Sequence, residues 1–149
     1  MGGNTDGIVP IRMVGGLPFI TVEVSANTRS LTLHNVLLDT GSVSCAFSAD
    51  TLLEINVKPS LTDSLRVLVG IGGREYGFSK VLDGLKIGDL SVQSFEVEVT
   101  AMDYGFDLDG IIGMNFLRVT KAKIDCERLV LTKWQGCITA GSVSSKIRR

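Results

Sequence analysis

The segment Val36-Leu37-Leu38-Asp39-Thr40-Gly41-Ser42 carries an apolar run directly into a turn that begins with an acid. Three consecutive apolar residues are typical of a strand that is covered on both faces. Gly41, two residues after Asp39, allows the backbone to approach the carboxylate closely. An ordinary junction between a strand and a turn, with Asp starting the turn, also explains this tripeptide taken alone. A second feature is therefore needed before chemistry can be assigned to the turn.

The second feature is Asp109-Gly110-Ile111-Ile112-Gly113-Met114-Asn115-Phe116-Leu117, in which two aliphatic residues and a glycine precede a helix-like run. Together the two motifs resemble the aspartic protease superfamily, and in particular its single-lobe, retropepsin-like branch of cellular and bacterial type. The resemblance spans roughly Pro10 to Leu131. It implies an all-β lobe in the form of a closed barrel, with one short helix after Ile111-Ile112-Gly113.

Length and charge argue against binding to nucleic acid or to a membrane. At 149 residues the chain has the size of one domain. Its 15 basic and 16 acidic residues leave a formal net charge of -1, so there is no electrostatic footprint for nucleic acid. No apolar run approaches the ~20 residues that cross a membrane, and the N-terminus lacks the pattern of a signal peptide. We expect a cytoplasmic protein that binds neither nucleic acid nor membrane.

Cysteine and histidine usage gives no support for a metal site. Cys45, Cys126 and Cys137 are an odd and widely spaced set, typical of reduced thiols in an intracellular protein, although one incidental disulfide is an alternative. Their spacing suits no zinc site, and the single histidine, His34, lies in a strand-like stretch without ligand partners. We therefore expect no metal and no other cofactor.

The pattern of apolar residues predicts many short strands and little helix. In the stretch Val92 to Val99, the odd-numbered residues from Phe95 onward are expected to face the core, while Glu96 and Glu98 face water. Ser48 is a suitable N-cap for a helical turn over Ser48 to Glu54. A second helix-like run covers Met114 to Arg118. These elements indicate an all-β, closed or barrel-like domain.

The domain organisation follows from where these patterns begin and end. We expect residues 1–9 to be a flexible lead, residues 10–134 to form the retropepsin-like domain, and residues 135–149 to be a tail. In the relatives, terminal strands often interleave between subunits. Leu129 to Trp134 is the best local candidate for such a strand.

The segment from Gly70 to Gly77 contains four glycines between two extended stretches. It lacks the Lys-Ser/Thr of a phosphate-binding P-loop, and no convincing helix follows it. A mobile hairpin explains it better, because glycine in an exposed strand leaves the backbone free to approach a ligand. In the resemblance this is the flap that closes over a substrate, and a plain surface hairpin is the alternative. The substrate-contacting residues would then be Gly70, Ile71, Gly72 and Gly73, together with Gly41, Val43, Ile111 and Ile112.

The resemblance makes Asp39 the catalytic residue of an aspartic endopeptidase. In that class, one carboxylate takes a proton from the attacking water while a second, protonated one polarises the scissile carbonyl. Like charges ~3 Å apart cannot both ionise comfortably, so the two share one proton and activity is expected at mildly acid pH. The chain contains one Asp-Thr-Gly and thus half of such a site. We therefore expect a homodimer that acts on a polypeptide, with the two copies of Asp39 facing each other across the two-fold axis.

The resemblance also assigns roles to the neighbours of Asp39. The hydroxyl of Thr40 would bond main chain of the other subunit, and Gly41 would let substrate backbone lie against the turn. Ser42 stands where retroviral members usually carry Ala, and its hydroxyl is expected to donate to the Asp39 carboxylate and favour the ionised form. Retroviral members have an Asp and an Arg in an ion pair where this chain has Val43 and Met114. We expect these two apolar side chains to pack together.

Two other functions stay open from the sequence. A retropepsin-like dimer can bind peptides or partners without cleaving them, because the motif persists when a cleft is blocked or a dimer does not assemble. An unrelated β-barrel with a chance Asp-Thr-Gly is the third possibility. The sequence does not identify the natural substrate.

Overall fold

The computed structural model describes residues 7–70 and 73–136, which form β-strands with two short helices, as expected for an all-β domain. The helices are α1 (Ala49–Leu52), which continues into a 3-10 turn at Leu53–Ile55, and α2 (Met114–Val119). No helix in the described part of the chain is long and apolar enough to cross a membrane. The strands are β1 (Val9–Pro10), β2 (Arg12–Val14), β3 (Leu17–Ala26), β4 (Arg29–Leu38), β5 (Ala46–Ser48), β6 (Leu65–Gly70), β7 (Gly73–Ile87), β8 (Leu90–Thr100), β9 (Gly110–Ile112), β10 (Ala122–Asp125) and β11 (Val130–Lys133).

Eight strands form one sheet in the order β2-β3-β4-β9-β5-β8-β7-β6, and β3 also pairs with β7. This extra pairing closes β3, β4, β9, β5, β8 and β7 into a circuit of hydrogen-bonded neighbours. Within the circuit β4 and β9 run parallel, with Leu37 opposite Ile111 and Leu38 opposite Ile112. The carboxyl ends of parallel neighbours lie side by side. The turn after Leu38 therefore lies next to the start of α2.

The two faces of the sheet carry two apolar clusters. Successive residues of a strand point to opposite faces, so Leu37 and Leu38 belong to different clusters. The smaller cluster contains Phe19, Ala46, Met102 and Leu108, with Leu37 and Ile111 packed against it. β4 and β9 are thus covered on both faces, as their continuous apolar runs predict. The fully buried members of the main core include Ile20, Val36, Phe47, Leu52, Leu82, Leu85, Val99, Ile112 and Phe116.

Two antiparallel hairpins occupy the positions predicted from glycine placement. Gly70 lies opposite Gly73 where β6 meets β7, and residues 71 and 72 lie outside the described residues. β7 and β8 pair around the turn Gly88-Asp89. Gly88 has φ of +57° there, and a Cβ atom on it would lie 2.5 Å from Cγ2 of Val9. This turn therefore requires glycine.

The expected exposure of Glu98 is wrong. The residue is 8% exposed, while Glu96 on the same strand is exposed as predicted. β8 lies between two strands, and Glu98 is opposite Ala46 on β5 and Ser79 on β7. Alternation assigns a residue to one of two faces, but it does not say whether that face is covered.

A separate three-stranded sheet has the order β1-β11-β10. Leu131 is fully buried at its centre, opposite Val9 on one side and Ile124 on the other. Val130 and Leu131 are therefore paired on both sides within the chain, whereas Thr132 and Lys133 pair with β10 alone among the described strands. The interleaving of Leu129 to Trp134 between subunits stays a prediction. The first strand of the described residues, β1, begins at Val9.

The cysteines in the described residues are free thiols. Cys45 is buried and Cys126 is exposed, whereas Cys137 lies outside the described residues. His34 lies on β4, where its Nδ1 is 3.4 Å from the Thr21 hydroxyl. This contact agrees with a structural role for His34 rather than a role as a metal ligand.

Candidate active site

Asp39 ends the backbone ladder of β4. Its N–H donates to the carbonyl of Ile112 over 3.0 Å, which extends the pairing of β4 with β9 by one residue. Its carboxylate Oδ1 accepts a hydrogen bond from the N–H of Gly41 at 2.9 Å, and its carbonyl accepts one from the N–H of Ser42 at 3.1 Å. These short-range bonds fold the tripeptide into a tight turn. Asp39 remains partly exposed, so a carboxylate at the end of a buried strand is in contact with solvent.

Gly41 permits this geometry. A Cβ atom on Gly41 would lie 3.2 Å from Oδ1 of Asp39, which is closer than such contacts normally are. Both Gly41 and Thr40 are exposed. The open backbone beside the carboxylate agrees with the close approach that the sequence predicts.

The turn between β9 and α2 holds the loop that follows Asp39. The N–H of Met114 donates to the carbonyl of Ser42 at 2.8 Å, and that of Asn115 donates to the carbonyl of Val43 at 3.1 Å. A Cβ atom on Gly113 would lie 2.5 Å from the carbonyl oxygen of Ser44. The glycine after the two isoleucines therefore lets two backbone segments touch, which gives the second motif a physical role.

Asn115 and Cys45 connect the same two segments through their side chains. Oδ1 of Asn115 accepts hydrogen bonds from the N–H of Cys45 at 3.1 Å, its thiol at 3.3 Å and the N–H of Phe116 at 2.9 Å. The N–H of Gly113 donates to Sγ of Cys45 at 3.4 Å. Burial raises the pKa of the Cys45 thiol to about 11, and backbone hydrogen bonds from Gly113 and Phe116 oppose that rise. The thiol is therefore protonated at neutral pH and able to donate.

Sequence reasoning missed the role of Cys45. A single cysteine among three widely spaced ones carries no local signal for a hydrogen-bonded position. Its contacts come from Gly113 and Asn115, which are distant in sequence and lie at the start of α2.

Asp109 is a structural acid. Its Oδ2 accepts from the N–H of Asn35 at 3.1 Å, and its Oδ1 lies 3.5 Å from the donating hydroxyl of Thr51. Its own N–H donates to the carbonyl of Asn35 at 2.8 Å, and its carbonyl accepts from the N–H of Ser48 at 2.8 Å. Asp109 precedes β9 and thus lies at the opposite end of that strand from Asp39. It does not supply a second carboxylate beside Asp39 in the same chain.

The expected contact of Ser42 with Asp39 is wrong. The hydroxyl of Ser42 donates to the carbonyl of Ser44 at 2.9 Å. The loop after Asp39 folds back on itself as it meets α2, and this brings the Ser44 carbonyl within reach of the hydroxyl. Ser42 therefore stabilises its own loop in this structure.

Val43 was also expected to pack on Met114, but its side chain is not buried against that residue. Val43 is 82% exposed, because its backbone carbonyl, rather than its side chain, faces α2. Such an exposed apolar side chain remains available to a substrate or to another subunit.

The predicted substrate-contacting residues fall into different environments. Ile111 is partly exposed on the face of the smaller cluster. Ile112 is fully buried in the main core, so its side chain cannot contact a substrate and that assignment is wrong. Gly70 and Gly73 oppose each other at the end of the hairpin formed by β6 and β7, whereas Ile71 and Gly72 lie outside the described residues.

The sequence and the fold were compared with those of known proteins. Residues 22–116 match the family described as aspartyl protease. The fold is similar to a retropepsin-like aspartic protease from Rickettsia conorii, with a TM-score of 0.60 and 19% identity over 83% of this chain and 95% of that chain. It is also similar to EIAV protease complexed with the inhibitor HBY-793, with a TM-score of 0.55 and 19% identity over 76% of this chain and 97% of that chain. Among curated proteins, none matches the sequence. The expected retropepsin-like fold is confirmed.

Proposed function

This chain belongs to the aspartyl proteases of the retropepsin-like type, and we propose that it is an aspartic endopeptidase whose two catalytic carboxylates are the Asp39 side chains of two subunits. One observation carries the proposal. Asp39 lies at the carboxyl ends of two parallel strands, partly exposed and hydrogen-bonded to the N–H of Gly41 at 2.9 Å.

The need for a second subunit follows from the acids near this point. The loop of residues 39–45 and the turn of residues 113–115 contain one acid, Asp39. Asp109, the nearest acid of the second motif, is engaged with Asn35 and Thr51 at the other end of β9. A two-fold axis beside Asp39 supplies the missing carboxylate, because each subunit presents the same surface to the other.

The chemistry is that of two carboxylates with one shared proton, as is characteristic of aspartic proteases. The ionised Asp39 accepts a proton from water as the water attacks the peptide carbonyl, and the protonated Asp39 of the other subunit donates to the carbonyl oxygen. The N–H of Gly41 holds one carboxylate oxygen, which orients the group. Thr40 is exposed beside it and is assigned to main-chain contacts across the dimer axis.

The substrate enters as an extended strand. Main-chain hydrogen bonds hold such a peptide, and alternate side chains occupy pockets. The hairpin of β6 and β7 is assigned as the flap over the peptide, and Gly41, Val43 and Ile111 contact it from the side of Asp39.

Cleavage of a mixed peptide library between roughly pH 3 and 7 tests the proposal. We expect endoproteolysis by the natural protein and a loss on the order of 10⁴-fold or more in the Asp39→Asn variant, because the amide cannot act as a base. Asp83→Asn is the matched control, since Asp83 is exposed on β7 and carries the same change of charge. The control variant is expected to cleave at the natural rate.

Two outcomes would contradict the assignment. Full cleavage by the Asp39→Asn variant would remove Asp39 from the mechanism. Peptide binding by the natural protein without cleavage at any pH in the range would establish the non-catalytic, peptide-binding alternative.

A further inference from the structure

The row of cross-strand neighbours that contains Asp39 continues into the hairpin of β2 and β3. Phe19 of β3 is opposite Leu37 of β4. The same antiparallel register, carried two residues farther, puts Leu17 opposite Asp39. Val14 of β2 is in turn opposite Leu17. Neighbouring strands are ~4.8 Å apart, so the backbone of Leu17 lies about 5 Å and that of Val14 about 10 Å to one side of Asp39.

Leu17 and Val14 are on the same face of the sheet as Asp39, because alternate residues of a strand share a face. Leu17 shares the side of Phe19, two residues along β3. Asp39, whose N–H extends the ladder of β4, shares the side of Leu37, which packs with Phe19 in the smaller cluster. Phe19 is 5% exposed, whereas Leu17 is 40% and Val14 55% exposed. The cover of this face therefore ends at the hairpin, and an open apolar surface lies beside Asp39.

Val43 lies on the opposite side of Asp39. In the sheet β4 lies between β3 and β9, and α2 follows β9. The carbonyl of Val43 accepts from the N–H of Asn115 in α2, so this part of the loop is on the side of β9. The side chain of Val43 is 82% exposed. Asp39 is therefore flanked by an apolar surface toward β3 and by an exposed apolar side chain toward β9.

A two-fold axis beside Asp39 brings these two features together. Such an axis relates every residue on one side of it to the same residue of the partner subunit on the other side. The β3 side of one subunit therefore faces the β9 side of its partner. Exposed valine and leucine side chains that meet in this way are removed from water, which stabilises the association.

We propose that the Val43 side chain of each subunit packs against Leu17 and Val14 of the partner subunit, and that these two equivalent contacts hold the copies of Asp39 together. This inference rests on the proposed function, because it takes its two-fold axis from the pair of Asp39 carboxylates. It assigns the side chain of Val43 to the partner subunit and leaves its main chain for the contact with the peptide. A second copy of this chain is thus recognised through apolar surface on both sides of the site.

Exchange of charge between two chains tests this contact. Val43→Lys and Leu17→Glu each bring an unpaired charge into both contacts of a homodimer, because every contact occurs twice. We expect each variant to raise the dimer dissociation constant by on the order of 10²-fold or more, as measured by sedimentation equilibrium. An equal mixture of the two variants is expected to form a heterodimer whose dissociation constant is within about tenfold of the natural value. In that heterodimer one contact pairs the two opposite charges, and the other is the natural one.

Val81→Lys and Leu61→Glu are the matched controls. Val81 is 62% exposed on β7, and Leu61 is fully exposed before β6. Both control variants are expected to dimerise as the natural protein does. Val43→Thr keeps the shape of the side chain and adds a hydroxyl, and we expect it to raise the dissociation constant by about tenfold. Thermal unfolding shows whether the charged variants are folded, and Val43→Thr decides if one of them is not.

Dimerisation and cleavage are measured separately, so failure of this inference is distinguishable from failure of the proposed activity. Recovery of the heterodimer, with no cleavage by the natural protein between roughly pH 3 and 7, would support the contact and overturn the protease function. A natural dissociation constant for Val43→Lys, or a mixture that forms no heterodimer, would overturn the contact and leave proteolysis intact. Cleavage by a natural protein that stays monomeric at every concentration would do the same.

Discussion

Asn115 is the residue that joins the Asp39 loop to α2. Its Oδ1 accepts hydrogen bonds from two residues, Cys45 before β5 and Phe116 in α2. Both donors are main-chain N–H groups of buried residues, and the Cys45 thiol adds a third bond. A single side-chain oxygen thus bridges two segments that are distant in sequence, one of them the end of the loop that follows Asp39.

We predict that Asn115→Ala lowers the free energy of unfolding by roughly 1–3 kcal/mol, because it leaves the N–H of Cys45 without its acceptor in a buried position. Denaturant unfolding followed by fluorescence measures the change. Asn115→Asp is the matched control, since a carboxylate keeps an acceptor at the same place and should retain more stability than Ala. An Ala variant as stable as the natural protein would show that the bridge contributes nothing.

At the scale of single elements, the turn between β10 and β11 shows how one acid shapes a hairpin. Oδ1 of Asp125 accepts from the N–H of Arg128 at 2.9 Å and from that of Glu127 at 3.0 Å. Leu129 closes the turn with φ of +55°. The N–H of Arg128 is the main cause of a lowered pKa of the Asp125 carboxyl, with burial opposing and the N–H of Glu127 and the charges of Arg128 and Lys123 adding to it.

The sign of this shift predicts how the turn responds to acid. A carboxyl whose pKa is lower in the folded than in the unfolded chain stabilises the fold above the ordinary Asp range, and that contribution is lost as the pH falls through the folded value. We therefore expect Asp125→Asn to be less stable than the natural protein near neutral pH and equally stable in strong acid.

Denaturant midpoints measured across the acid range check this expectation. Asp83→Asn, which changes an exposed acid of β7, serves as the control for a general effect of charge. A stability difference between Asp125→Asn and the natural protein that stays constant with pH would contradict the role of the ionised carboxylate.

At the scale of the whole molecule, the prediction concerns how two chains share one site. An equal mixture of natural and Asp39→Asn chains, after subunit exchange, contains natural homodimers as about a quarter of all dimers. We expect cleavage to fall to about a quarter of that of the same total amount of natural protein, whereas independent monomers would retain about half.

Solution mass measured on the same mixture verifies that dimers are present. Natural protein mixed with Asp83→Asn is the control and should show no loss. Retention of half of the activity would place the complete site within one chain.

Much of the local structure follows from local sequence. Ser48 is the N-cap of α1, and its Oγ accepts from the N–H of Thr51 at 3.3 Å. Gly88-Asp89 makes the predicted hairpin turn, and the two isoleucines before Gly113 form β9. These features depend on residues within a few positions of each other, so the sequence alone predicts them.

The order of amino acids was enough to establish an all-β chain of the aspartic protease type, with Asp39 at the end of a buried strand. Folding alone decided that Glu98 is buried, that β11 lies between β1 and β10, that Ile112 belongs to the core, and that the Ser42 hydroxyl bonds Ser44. The physical reason is that alternation assigns each residue to a face of its strand. Which strand or loop then covers that face depends on pairings between segments that are far apart in the chain.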